Sequence, residues 1–298
     1  MPLVVALLLI LALGVGLPMP PAGAEQPRAE EDEERLTLLV PAGAGGGTDA
    51  VARRLALLLN EPLGLPVDVL NRPGGGGAEA MEALRGARPD GLTLGILTAE
   101  ALRVARPGGF APLLLFNLDP PALHLPAGLG AEAQVDAILD GAIAASGGPA
   151  GSLPHLALAH LAAARGGRLP PSSWQPAADG TAALQALASR RVGAVVATPD
   201  EADGLRRAGA VKTLGGEGAR LDLPRTLGGW RGLVAPTGLS RRRSEAIVAA
   251  ARAAVASEAF QDFLEIRGYT PADLGPAAFA SFLDTFSEEL ERAASGLD

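Results

Sequence analysis

The stretch from Leu36 to Arg54, L-T-L-L-V-P-A-G-A-G-G-G-T-D-A-V-A-R-R, constrains the fold more than any other part of the chain. Leu36 to Val40 is an apolar run of strand length, and Pro41 ends it because proline cannot donate to a ladder. Gly43 to Gly47 follow as a loop with almost no side chains, and Val51, Leu55, Leu58 and Leu59 then recur at helical spacing. Thr48 or Asp49 offers a polar helix cap. Strand, glycine loop and helix start make an anion receptor. The first helical N–H groups have no internal partner, the helix dipole adds positive potential, and glycine lets a ligand reach the backbone. The same residues also fit a tight strand-to-helix turn that binds nothing.

Nucleotide readings of this loop fail on particular residues. A P-loop needs G-x-x-x-x-G-K-[ST], and Lys212 is the only lysine in the chain. In a dinucleotide fingerprint Gly43 and Gly45 fit, but Thr48 stands where the third glycine belongs, and Asn71 stands where an acid would hold a ribose. Cysteine is absent, which removes disulfides and thiolate chemistry together, and the three histidines (His124, His155, His160) are not in H-E-x-x-H spacing. A net charge of −8, with Arg241 to Arg243 as the densest basic cluster, argues against nucleic acid. With 298 residues, 48% of them apolar, the chain can bury one large or two medium cores; at 3% aromatics these are built from Leu, Val, Ala and Ile.

Residues 3–17 form an apolar run too short to span a bilayer comfortably, and Ala22-Gly23-Ala24 resembles a signal-peptidase site. No Lys or Arg precedes the run, so a retained N-terminal anchor is the alternative to cleavage after Ala24. Residues 25–35 read as an acidic linker.

Beyond the opening unit, Val67 to Leu70 is a second strand, followed by N-R-P-G-G-G-G (Asn71 to Gly77), a helix over Ala78 to Leu84 and a third strand from Leu92 to Leu97. Alternating strands and helices predict a parallel sheet with ligands at the strand carboxyl ends, where Gly45 to Asp49, Gly74 to Gly77 and Thr98 lie. Residues 107–128 read as a crossing segment into a second unit, where Ala142 to Ala145 is a strand. Ser146 to His155, S-G-G-P-A-G-S-L-P-H, repeats the opening logic with Ser152 as helix cap. Helices are predicted over Thr181 to Arg190 and Pro199 to Ala208, with strands at Gly193 to Ala197 and Trp230 to Ala235. Ile247, Val248, Ala251 and Val255 make one helical stripe, and Phe279, Phe282, Leu283, Phe286 and Leu290 another.

These motifs together resemble the periplasmic solute-binding proteins of tripartite tricarboxylate transporters, the Bug family. The resemblance rests on Pro41 to Arg53, Asn71 to Gly77, P-D-G-L-T-L at Pro89 to Leu94, Ser146 to His155 and G-G-W-R-G-L-V-A-P at Gly228 to Pro236, in order. The fourfold glycine and G-W-R-G look most like the citrate-type branch.

The resemblance implies an α/β fold of the two-domain, Venus-flytrap kind, each domain a mainly parallel sheet flanked by helices. Domain 1 would comprise residues 36–118 plus 229–298 and domain 2 residues 119–228. It implies an exported, periplasmic monomer, not an enzyme and without cofactor or metal. Such a protein captures a di- or tricarboxylate and passes it to integral membrane transporter subunits. Ligand contacts carry over onto Gly45, Gly46, Gly47, Thr48, Asp49 and Thr98 from the first domain, and onto Gly151, Ser152, Thr181 and Thr198 from the second. Backbone amides would hold the carboxylates, since no cluster of Arg or Lys marks a charge-pairing site. Single residues keep plainer roles beside these: Asp49 as a helix cap, His155 as packing, Arg53 as a brace. Two other functions fit parts of the same pattern, a secreted sensor presenting an organic acid to a receptor kinase and a nucleotide-dependent enzyme.

Overall fold

In the computed structural model, residues 34–105, 108–127, 130–199, 201–214 and 223–297 are described. The N-terminal apolar run, the cleavage site after Ala24 and all but the end of the acidic linker lie outside them.

β1 (Leu36–Val40) leads into α1 (Gly47–Leu63), and β2 (Val67–Asn71) passes through a 3-10 turn at Gly74–Gly77 into α2 (Ala78–Arg85). β3 (Thr93–Thr98) runs directly into α3 (Ala99–Val104), which Thr98 caps by accepting from the Ala101 N–H at 3.2 Å. β4 (Phe110–Asp119) and β5 (Ala122–Pro126) follow, then α4 (Ala131–Leu139), β6 (Ala145–Ser146) and α5 (Leu153–Ala164). α6 (Gly180–Ala188), β7 (Ala194–Ala197), α7 (Asp203–Arg207) and β8 (Val211–Leu214) continue the second half. β9 (Gly229–Pro236) returns to the first, and α8 (Arg241–Ala256), α9 (Glu258–Ile266), β10 (Pro271–Leu274) and α10 (Pro276–Ser295) end the chain.

The strands make two sheets, ordered β10-β4-β9-β3-β1-β2 and β6-β7-β5-β8. The sheets are mixed rather than mainly parallel. β1 pairs in parallel with β2 and β3, but β9 is antiparallel to both β3 and β4, and β10 to β4. In the second sheet β5 is antiparallel to β7 and β8, and β6–β7 is parallel. The cause is the return path: β4 leaves the first sheet and β9 re-enters beside it in the opposite direction.

Several local expectations change. Residues 107–128, read as a connection, contain a ten-residue strand of the first sheet and a central strand of the second, divided at Pro120-Pro121. The expected strand at Ala142 to Ala145 contracts to Ala145–Ser146, because the Ala142 and Ile143 N–H groups both donate to the Ala137 carbonyl and close the end of α4. The expected helix at Pro199 to Ala208 is regular only over Asp203–Arg207. α1 is capped by Gly46 in extended conformation, not by Thr48 or Asp49.

One core lies on the face covered by α1, α8 and α9, where Phe116 meets Phe260 edge-on at 6.1 Å. On the other face α10 brings Phe279, Phe282 and Phe286 around Trp230. That arrangement fixes the start of β9, where the cleft begins.

All three histidines are held neutral. Burial pushes the pKa of His124, His155 and His160 below the ordinary histidine value. For a base whose folded pKa is depressed, the unfolded chain binds more protons, so stability is full above the unfolded value of about 6.5 and is lost as pH falls through the folded values. The melting temperature is therefore expected to drop between pH 7.5 and pH 5. His124→Gln should flatten that dependence, since its ring lies between Thr213 Oγ1 (3.0 Å) and the Ala197 carbonyl. A pH-independent melting temperature across this window contradicts the assignment.

Candidate functional site

The two glycine loops are built alike at atomic level. Gly45 takes φ +84° and donates its N–H to Asp49 Oδ2 at 2.8 Å, four residues on in the first turn of α1. Gly151 takes φ +77° and donates its N–H to His155 Nδ1 at 2.9 Å, four residues on in the first turn of α5. Each loop thus needs one left-handed glycine, and each is tied back by the side chain behind it. Neutral His155, stacked on Trp174 at 4.6 Å, is able to accept that bond.

Asp49 serves the first loop from behind. It is only 3% exposed and accepts from Gly45 N, from Arg53 Nε at 3.0 Å and from Asn71 Nδ2 at 2.9 Å. Burial acts to raise its pKa, but the hydrogen bonds from Arg53, Gly45 and Asn71 outweigh it and hold the carboxyl below its usual value. Asn71, standing where a dinucleotide site wants an acid, also donates to the Ala42 carbonyl at 2.9 Å and so closes the loop.

A cavity of about 370 Å3 opens where the two sheets face each other. The openings of α1 (Gly47, Thr48) and α5 (Leu153, Pro154) line it, with Thr198 at the end of β7. Asp119, Arg231 and Tyr269 line it too, as do Glu100 and Glu201.

Of the residues singled out in the sequence, Gly47, Thr48 and Thr198 line this cavity. Gly45 and Gly46 shape the approach to α1, and Gly46 itself is extended (φ −77°) with no left-handed requirement. Asp49 and Thr98 act as loop brace and helix cap. Gly151 and Ser152 lead into the lining residues of α5, and the buried Ser152 Oγ has no hydrogen-bond partner among the described residues. Thr181 is exposed on α6 and does not line the cavity.

Sequence reasoning missed the charged centre. Arg231 Nε donates to Thr48 Oγ1 at 3.3 Å, and Nη1 donates to Asn117 Oδ1 and lies 3.7 Å from Asp119 Oδ2. The guanidinium carbon sits 4.5 Å from the centre of the Tyr269 ring. Asp119 in turn accepts from the Thr270 N–H at 2.7 Å and from Asn117 Nδ2 at 3.0 Å. The other lining acids are also engaged: Glu100 pairs with Arg103 at 2.9 Å, and Glu201 accepts from Thr198 N and Oγ1 at 2.9 and 3.1 Å. The only available signal for Arg231 was strand alternation, which sets it on the face opposite the buried Trp230.

Helix starts, a partly buried guanidinium and hydroxyls around a cleft between two sheets are equipment for holding a small anion. Among solved structures, a TctC solute binding protein from Polaromonas, with no ligand, superposes with a TM-score of 0.77 over 88% of this chain and 98% of that one, at 23% identity. The fold is that of a solute-binding protein. MatC (Rpa3494) from Rhodopseudomonas palustris, with bound malate, matches 87% of this chain and 98% of its own with a TM-score of 0.62 and 22% identity. No family model matches the chain. A UPF0065 protein of Bordetella pertussis is 47% identical over 55 residues, which span 18% of this chain and 17% of that relative. The solute-binding fold and this local sequence match agree with the resemblance carried by the glycine loops.

Proposed function

We propose that this chain is an exported solute-binding protein that captures a di- or tricarboxylate in the cleft and delivers it to the membrane subunits of a tripartite tricarboxylate transporter. The observation that carries the reading is the convergence of two helix starts, those of α1 and α5, on one cavity between two sheets. In this reading residues 36–118 with 229–298 form one lobe and residues 119–228 the other. The chain acts as a periplasmic monomer after cleavage behind Ala24. It binds and releases its solute and needs neither a catalytic group nor a cofactor. MatC, a protein of the same fold, holds malate, a dicarboxylate, which supports the choice of ligand.

A ligand that binds only the folded, closed form stabilises it by RT ln(1 + [L]/Kd), about 2.7 kcal/mol at a hundredfold excess. For a chain of this size each kcal/mol raises the melting temperature by roughly 2–4 °C. At least one acid among malate, succinate, adipate, tricarballylate and citrate should therefore raise it by several degrees, whereas ATP and NAD should leave it unchanged. A shift with ATP or NAD and none with the acids overturns the reading.

A further inference from the structure

Among the described residues, Arg231 is the only cationic side chain lining the cleft cavity. Its nitrogens are unequally used. Nε and Nη1 are spent on Thr48, Asn117 and Asp119, and the Tyr269 ring covers one face of the guanidinium. These contacts come from α1, β4 and the segment between α9 and β10, so the plane of the fork is fixed from three sides. Nη2 has no hydrogen-bond partner among the described residues and lies 3.7 Å from the position that a Cβ at Gly47 would occupy. The Tyr269 hydroxyl lies against that same position and likewise bonds to no described group. Gly47 is the first residue of α1, where backbone N–H groups have no helical partner.

Nη2, the phenol and the opening turn of α1 therefore border one place, and glycine at position 47 is what lets the phenol come so close, since a Cβ there would collide with it. We propose that Arg231 is the residue that reads the solute's charge: its Nη2, with the Tyr269 hydroxyl and the α1 N–H groups, seats one carboxylate, while Asp119 holds the guanidinium at Nη1. This rests on the carboxylate-binding function proposed above and adds which side chain recognises the charge. Lysine cannot replace Arg231 there. One ammonium cannot hold Asn117, Asp119 and Thr48 and still present a donor at the Nη2 position.

The test is calorimetric titration of native protein, Arg231→Gln, Arg231→Lys and Tyr269→Phe with the acid that gives the largest melting shift in the series malate, succinate, adipate, tricarballylate and citrate. Affinity should fall at least tenfold, and up to about a hundredfold, in both arginine variants, the factor expected from losing one or two hydrogen bonds to a charged group. Tyr269→Phe, which keeps the ring over the guanidinium, should lose about three- to tenfold. If Arg231→Gln unfolds because Asp119 has lost the guanidinium beside it, the double variant Asp119→Asn/Arg231→Gln, which removes the buried carboxylate as well, is titrated in its place. Native affinity in any folded variant without the guanidinium overturns the assignment and leaves the functional reading standing. A native protein that binds none of the acids overturns both.

Discussion

Trp230→Ala is expected to lower the free energy of unfolding by about 3–5 kcal/mol, the range for removing a buried aromatic from a packed core. Trp230 is 1% exposed. Its ring meets Phe279, Phe282 and Phe286 in near-perpendicular contacts, with centroids 6.2, 5.5 and 5.6 Å away. Its indole N–H donates to the Thr226 carbonyl at 2.9 Å, so truncation also leaves that acceptor without its partner. α10 is anchored to β9 through this cluster. Denaturant unfolding of the two proteins checks it. A loss below about 1 kcal/mol would mean that the aromatic cluster contributes far less than its burial implies.

The effect on the site should accompany the effect on stability. Trp230 directly precedes Arg231, and the next strand residue, Gly232, leaves room only for the Phe279 ring. Packing on one face of β9 thereby sets the guanidinium on the other.

What could be read from the sequence follows the range of the interactions involved. β1 and α1 were legible because five apolar residues, a proline, a glycine loop and a helical stripe each act within a few residues. The aromatic stripe of α10 was legible for the same reason, and Gly275 and Pro276 open that helix. β4 was not, since Leu113 to Phe116 is apolar on both faces and Pro112 interrupts the register, a pattern that fits a connection as well as a buried strand. Gly47, Thr48 and Thr198, which line the cavity, stand out in the sequence because they lie at strand-to-helix junctions. Arg231 was quoted only as part of a motif, since its role depends on the antiparallel register that brings Asn117 opposite it and on Tyr269 from a distant segment. Asp49 and His155 could be identified as first-turn residues, but that each ties back a left-handed glycine is a matter of φ angles that no local pattern states.

The second large effect concerns the ligand. In the function proposed above, the openings of α1 and α5 each receive one carboxylate of the same solute. Calorimetric titration of the native protein with its preferred diacid and with the corresponding monoamide tests it most directly. Converting one carboxylate to an amide removes a charge and sets donors against the N–H groups at the mouth of one helix. Hydrogen bonds to charged groups contribute about 1.5–3 kcal/mol each, and buried donors left without acceptors cost more. Since about 1.4 kcal/mol is one factor of ten, the monoamide should bind at least tenfold, and up to a hundredfold, more weakly. The remaining carboxylate should keep the Arg231 end and the amide should face the α5 end. Equal affinity of the native protein for diacid and monoamide would contradict the account, because only one carboxylate would then be recognised and the loop before α5 would be a helix start with no ligand role.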